Sequence, residues 1–171
     1  MSVNGVLSET GEAGDYIKSQ GGYADYYAGF GWGGTLSNLG LESGYKLRLA
    51  NPSSLSYTGV PVDPSTMPID LSSGWNWIGY LPSLGMPIND ALTIGEAGDY
   101  IKNQGGYADY YAGFGWGGTL SNLEPFGMYM LRLATATTLI YPDGSMSRAA
   151  VTEEKNIPDS ISDFNYSEFE F

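Results

Sequence analysis

Residues 11–39 recur as residues 95–123 with a single difference, Ser19 against Asn103, at a constant offset of 84 residues. The match runs on through Tyr45, Leu47, Arg48, Leu49, Ala50, Leu55 and Tyr57, which return as Tyr129, Leu131, Arg132, Leu133, Ala134, Leu139 and Tyr141. A near-identical internal repeat constrains the fold more than any other feature, because one supersecondary unit is used twice and a face shown by one copy is shown by the other. Such recent duplications form arrays in extracellular or surface proteins.

Two units in a chain of 171 residues are each close to the lower limit for an independent core, so packing of one unit on the other is expected. With 25 Gly and 14 Tyr and only 15% charged residues, the composition is one of tight turns and aromatic strands rather than helical bundles. A formal net charge of −12 argues against nucleic acid and against anionic membrane surfaces as partners. The absence of Cys excludes a disulfide framework and thiolate metal sites. No run of 18 apolar residues is present to span a bilayer. The opening Met-Ser-Val-Asn-Gly-Val-Leu-Ser-Glu-Thr lacks the basic start and apolar stretch of a signal peptide, so a secreted reading implies a mature piece or fragment.

The second unit reads as the more complete one. Residues 73–80, with Trp75 and Trp77 alternating with Asn76 and Ile78, read as a strand ended by Pro82. Residues 87–92 read as one helical turn with Pro87 near its start. Residues 99–104, a Gly105-Gly106 turn and residues 107–111 form the clearest hairpin. Strands over 116–120, 128–133 and 138–141 complete the set. The expected fold is therefore mainly β, with two tandem small antiparallel sheets or partly closed barrels, each with at most one short helix.

The first unit has Val3-Asn4-Gly5-Val6-Leu7 where the second has Ile88-Asn89-Asp90-Ala91-Leu92, after a one-residue gap, but no counterpart of residues 74–80. A missing strand leaves a sheet edge, to be filled from another chain or segment or covered by packing of the repeats. The expected organisation is a first repeat at 1–59, a proline-bearing connector at 60–73, a second repeat at 74–142, an acidic linker at 143–163 and an aromatic tail at 164–171. That tail, with Phe164, Tyr166, Phe169 and Phe171, is either the opening of a following module or a strand that docks on the first unit's edge.

Gly-Trp-Asn-Trp-Ile-Gly-Tyr at 74–80, Gly-Asp-Tyr-Ile-Lys-Asn-Gln at 98–104, Gly-Tyr-Ala-Asp-Tyr at 106–110, Gly-Trp-Gly-Gly-Thr-Leu at 115–120 and Gly-Met-Tyr-Met-Leu at 127–131 together resemble a repeat of large secreted multidomain proteins of Bacteroidetes-type bacteria. The middle motifs return in residues 14–49, residues 59–64 resemble the link between such repeats, and Asp163-Phe164-Asn165-Tyr166 resembles the entry into a next module. The resemblance implies a secreted or cell-surface location and a non-catalytic role, and it carries no ligand onto named residues.

The chain has no His and no Cys, which removes the commonest bases, nucleophiles and zinc ligands. A Ser-Lys dyad on Lys18 or Lys102 has no supporting motif, and Asp15, Asp25, Asp99 and Asp109, as glycosidase acids, sit in hairpins suited to solvated faces. Calcium is the one cofactor considered, with Asp63 and Asp143-Gly144-Ser145 as weak ligands that lack Asp-x-Asp-x-Asp spacing. The positive signal is aromatic. On one side of a strand Tyr107, Asp109 and Tyr111 point together, as do Tyr23, Asp25 and Tyr27 in the first copy. Ring faces beside carboxylates suit sugars, with Trp32 and Trp116 as further members of the platform; the competing role for each ring is core filler. The expected function is adhesion or carbohydrate binding, with a structural spacer or self-assembly module as rival and a carbohydrate-active enzyme fragment as a distant third. The expected partners are glycans or other copies of the chain.

Overall fold

Tyr-Ala-Asp-Tyr-Tyr followed by a Gly-flanked turn folds identically in both copies. A computed structural model describes residues 1–55, 59, 60 and 62–143. The first unit has a one-turn helix α1 (Val3–Val6) and strands β1 (Tyr16–Lys18), β2 (Tyr23–Tyr27), β3 (Gly31–Gly34) and β4 (Lys46–Arg48). These strands form an antiparallel sheet in the order β3-β2-β1-β4. There follow β5 (Ile69–Leu71), β6 (Gly74–Gly79), β7 (Met86–Pro87), helix α2 (Ile88–Ala91), β8 (Tyr100–Lys102), β9 (Tyr107–Tyr111), β10 (Gly115–Gly118), β11 (Asn122–Leu123), β12 (Met128–Leu133) and β13 (Thr137–Leu139). The second sheet runs β10-β9-β8-β12-β6, and β11·β7 and β13·β5 form two-stranded ribbons. Among the described residues the fold is mainly β, with antiparallel sheets of which none closes into a barrel. Ile69-Asp70-Leu71, in the expected connector, is a strand of the second unit because Ile69 and Leu71 alternate inward and pair with β13. The expected tail and most of the acidic linker lie outside the described residues.

The local chemistry of the turns is explicit. Gly29 and Gly31 take positive φ of 80° and 83°, and Gly113 and Gly115 take 83° and 86°, which glycine alone adopts without strain. They turn the chain around Phe30 and Phe114, each 91% exposed. The single repeat difference falls in the β1–β2 and β8–β9 turns, where either side chain serves. Ser19 Oγ accepts from Gly22 N, and Asn103 Oδ1 accepts from Gly105 N and Gly106 N.

The helices confirm the one-residue gap at the start of the repeat. Asn4 on α1 and Asn89 on α2 lay their amides along the edge strands β3 and β10. Asn89 Nδ2 donates to Trp116 O and its Oδ1 accepts from Trp116 N at 2.7 Å. Asn4 makes the same pair of bonds with Trp32. Each side-chain amide thus satisfies an outer strand where a further strand would otherwise pair.

The two units share one kernel and differ in what surrounds it. Val3, Leu7, Ile17, Ala24 and Trp32 are the buried residues of the first core. Ile88, Leu92, Ile101, Ala108 and Trp116 are their equivalents in the second. The second unit adds β5, β6 and β13, bringing in Ile69, Leu71, Ile78, Tyr80, Leu139 and Tyr141. Under this added layer Leu131 and Leu139 are fully buried, while Leu47 and Leu55, their repeat equivalents, stay 39% and 49% exposed. Residues 53–55 form no strand, and among the described residues no strand pairs with them as β5 pairs with β13.

The units meet along β6. Ser43 bridges Ile78, Gly44 N donates to Trp77 O, and Gly79 N donates to Glu42 O. Beside this pair, Gln20 Nε2 donates to Trp75 O at 2.6 Å and Gln20 Oε1 accepts from Trp77 N at 2.8 Å. One side-chain amide thus behaves as a peptide group of a neighbouring strand and closes that stretch of the β6 edge.

Candidate functional site

The outward side of the second sheet is built by strand alternation. β9 sends Ala108 and Tyr110 toward the core and Tyr107, Asp109 and Tyr111 outward. β8 adds Tyr100 and Lys102, β12 adds Met130 and Arg132, and β6 adds Trp75 and Trp77. Register then sets the neighbours. Trp75, Arg132, Tyr100 and Asp109 form one cross-strand row, and Trp77, Met130, Lys102 and Tyr107 the next. Tyr100 and Tyr107 stack with centroids 6.0 Å apart and planes 22° apart. Trp75 meets Tyr100 edge-on at 6.0 Å. Lys102 Nζ lies 5.1 Å from the Trp75 ring, and Arg132 lies 5.8 Å from Trp75 and 5.7 Å from Tyr100. These are cation–π distances.

The first sheet repeats the outward Tyr-Asp-Tyr row with Tyr23, Asp25 and Tyr27. Tyr23 and Tyr27 are 48% and 54% exposed, against 45% and 55% for Tyr107 and Tyr111. The Tyr27 and Tyr111 rings lie above Gly33 and Gly117, where an added Cβ would sit 3.5 Å and 3.4 Å away. Between the sheets Trp77 of the second unit receives cations of the first, Lys18 at 5.7 Å and Lys46 at 4.8 Å. Lys18, Lys46, Lys102 and Arg132, four of the seven cations of an otherwise acidic chain, therefore all rest against outward rings. A cleft of about 630 Å³ opens beside them, with Tyr45, Lys46 and Leu47 on one wall and Lys102, Asn103, Gln104, Phe126 and Met130 on the other.

Trp32 and Trp116 do not belong to this face, which corrects the expectation for both. They are 6% and 4% exposed and point into the cores. Trp32 Nε1 donates to Leu7 O and Thr10 O, and Trp116 Nε1 donates to Ile94 O. Each meets an inward tyrosine edge-on, Tyr26 at 5.7 Å and Tyr110 at 5.4 Å. Trp75 and Trp77 take the place on the platform that was expected of them. Their alternation with Asn76 and Ile78 was visible in the sequence, but which side faced out was not.

The four acids considered for hydrolysis separate into two kinds. Asp25 and Asp109 are on the outward face. Asp15 and Asp99 are 4% and 3% exposed and are structural. Asp99 accepts from Glu96 N and Ala134 N, and Asp15 from Glu12 N and Ala50 N. Lys18 and Lys102 lie over tryptophan rings. Asp63 caps a short turn at Pro64–Thr66, accepting from Ser65 N and Ser65 Oγ. Among the described residues, no three metal-capable side chains gather, and no helix is long and apolar enough to cross a membrane. Comparison of the chain with known protein families, with curated proteins and with solved structures finds no match.

Proposed function

We propose that this chain is a non-catalytic module of a secreted or cell-surface protein that binds carbohydrate through its outward aromatic faces. One observation carries the reading: the same Tyr-Asp-Tyr row is presented twice, with its rings about half exposed and a carboxylate between them. Aliphatic C–H faces of a sugar stack on such rings, and its hydroxyls hydrogen-bond to Asp25, Asp109 and the amides of the adjacent cleft. Two equal sites on one chain raise apparent affinity for a polymer without any new contact. The resemblance to repeats of secreted Bacteroidetes-type proteins supports the location.

A glycan array with the intact chain is the direct test, followed by titration of any hit with Tyr27→Ala, Tyr111→Ala and the double variant. Each single variant is expected to weaken binding to a polymeric glycan about tenfold, and the double variant to abolish it, as stacking of about 1–2 kcal/mol per site predicts. Retained binding in the folded double variant, or no glycan bound by the parent chain, removes this reading. The rival, a spacer or self-assembly module, is favoured by a different observation, the open edge of β4.

A further inference from the structure

β4 pairs with β1 on one side, and among the described residues no strand lies along its other side. Its repeat equivalent β12 is flanked on both sides, by β8 and by β6. The difference is carried by Leu47, 39% exposed where Leu131 is fully covered. An open strand with an uncovered leucine is a template for one more strand.

The strand that fits is specified by β6 itself. It turns Asn76 and Ile78 inward and Trp75 and Trp77 outward, with Trp75 opposite Arg132, Asn76 opposite Leu131 and Trp77 opposite Met130. Part of that pattern returns in the chain, with Ser167 at the position of the inward Ile78. Asp163-Phe164-Asn165-Tyr166-Ser167-Glu168-Phe169 aligns with Gly74-Trp75-Asn76-Trp77-Ile78-Gly79-Tyr80, Asn on Asn and an aromatic on each of the three aromatics. We infer that residues 163–169 add to the open edge of β4 in the same chain, as an antiparallel strand in the register that β6 uses on β12.

In that register Asn165 lies opposite Leu47, Phe164 opposite Arg48 and Tyr166 opposite Lys46. Phe164 on Arg48 repeats the contact that Arg132 makes with Trp75 at 5.8 Å. Of the acids of the segment, Glu168 falls on the outward side with Lys46 and Arg48, opposite Gly44 and diagonal to Lys46. Glu168 stands where β6 has Gly79. An added Cβ at Gly79 would sit 2.8 Å from Leu41 O, because the far side of β6 is taken by the first unit. Beside β4, Tyr45, Lys46 and Leu47 face Lys102, Asn103, Gln104 and Phe126 across the cleft of about 630 Å³, and that space is what the added strand enters. The 21 residues from Asp143 to Asp163 extend to at most about 70 Å, and tethering makes the pairing intramolecular and favoured over capture of a second copy at low protein concentration.

The chain has no Cys, so an introduced pair reports cleanly. Residues directly opposite on neighbouring strands have Cβ atoms about 5 Å apart, close enough to bridge, whereas a shift by one residue turns the side chain to the other face. In the full chain, Leu47→Cys with Asn165→Cys is expected to oxidise within one chain at least tenfold faster than Leu47→Cys with Tyr166→Cys. Equal rates, or bridges formed only between chains, overturn the inference. Hydrogen exchange of residues 45–49 tests it without touching β4. Phe164→Ser, Tyr166→Ser and Phe169→Ser together are expected to speed exchange there at least tenfold, and unchanged rates overturn it.

Discussion

Asp99 shows how little a residue's type says until its partners are known. Its carboxylate closes the turn before β8 through Glu96 N and ties that turn to the end of β12 through Ala134 N, 35 positions away. Nothing in the local sequence separates it from Asp109, which faces outward; the partner that makes Asp99 structural is distant in the chain. Removing a buried charged acceptor orphans two N–H groups, so Asp99→Ala is expected to lower stability by about 3 kcal/mol and Asp99→Asn by less, read by denaturant unfolding. The tryptophans show the same limit. Whether Trp116 faces in or out depends on its pairing with the inward Tyr110. A local signal did exist, because Gly115 and Gly117 on either side leave the opposite face bare, and that is the face over which the Tyr111 ring lies.

At the scale of elements, the repeat is an internal comparison in which the same hairpin sits in two surroundings. β8 and β9, β12 and the helical turn α2 were legible because alternation, Gly-Gly turns and Pro87 are local signals. The pairing of β5 with β13 was not, since it joins segments 68 positions apart, as does the bond from Thr138 to Asp70. The added layer buries Leu131 and Leu139, each worth roughly 1.5–3 kcal/mol, and gathers three tyrosines. Tyr80 lies 5.3 Å from Tyr141 and 6.5 Å from Tyr129, both edge-on. Burial, with Tyr129 and Glu124 adding to it, pushes Tyr80 up from 10.0 to about 12. Burial likewise raises Tyr129 and Tyr141. The folded state therefore disfavours ionised tyrosine. This contribution is fully present below pH 10, where both states are protonated, and is lost as pH rises toward 12 because only the unfolded chain releases its protons. Unfolding midpoints measured by near-UV circular dichroism are expected to hold from pH 7 to 9 and fall steeply above 10. In Tyr80→Phe that alkaline fall should be shallower.

At the scale of the molecule, β6 belongs to both units, paired with β12 on one side and held by Gln20 and residues 42–44 on the other. Expected from the sequence was that repeats this small would pack together; that one side-chain amide would close part of the seam was not legible, because Gln104, the repeat equivalent of Gln20, is the same residue at the wall of a cleft. Gln20→Ala leaves Trp75 O and Trp77 N without their partner. It is expected to lower overall stability by about 1 kcal/mol, to speed amide exchange at Trp77, and to split calorimetric unfolding into two steps. A single unchanged transition would show that the seam contributes no coupling. The shared strand also orders events during synthesis. Gln20 and Gly44 are made before Trp75 and Trp77, and at about 5–20 residues per second the interval lasts a few seconds. Throughout it the nascent first unit must wait, unfinished, for a strand encoded by its successor.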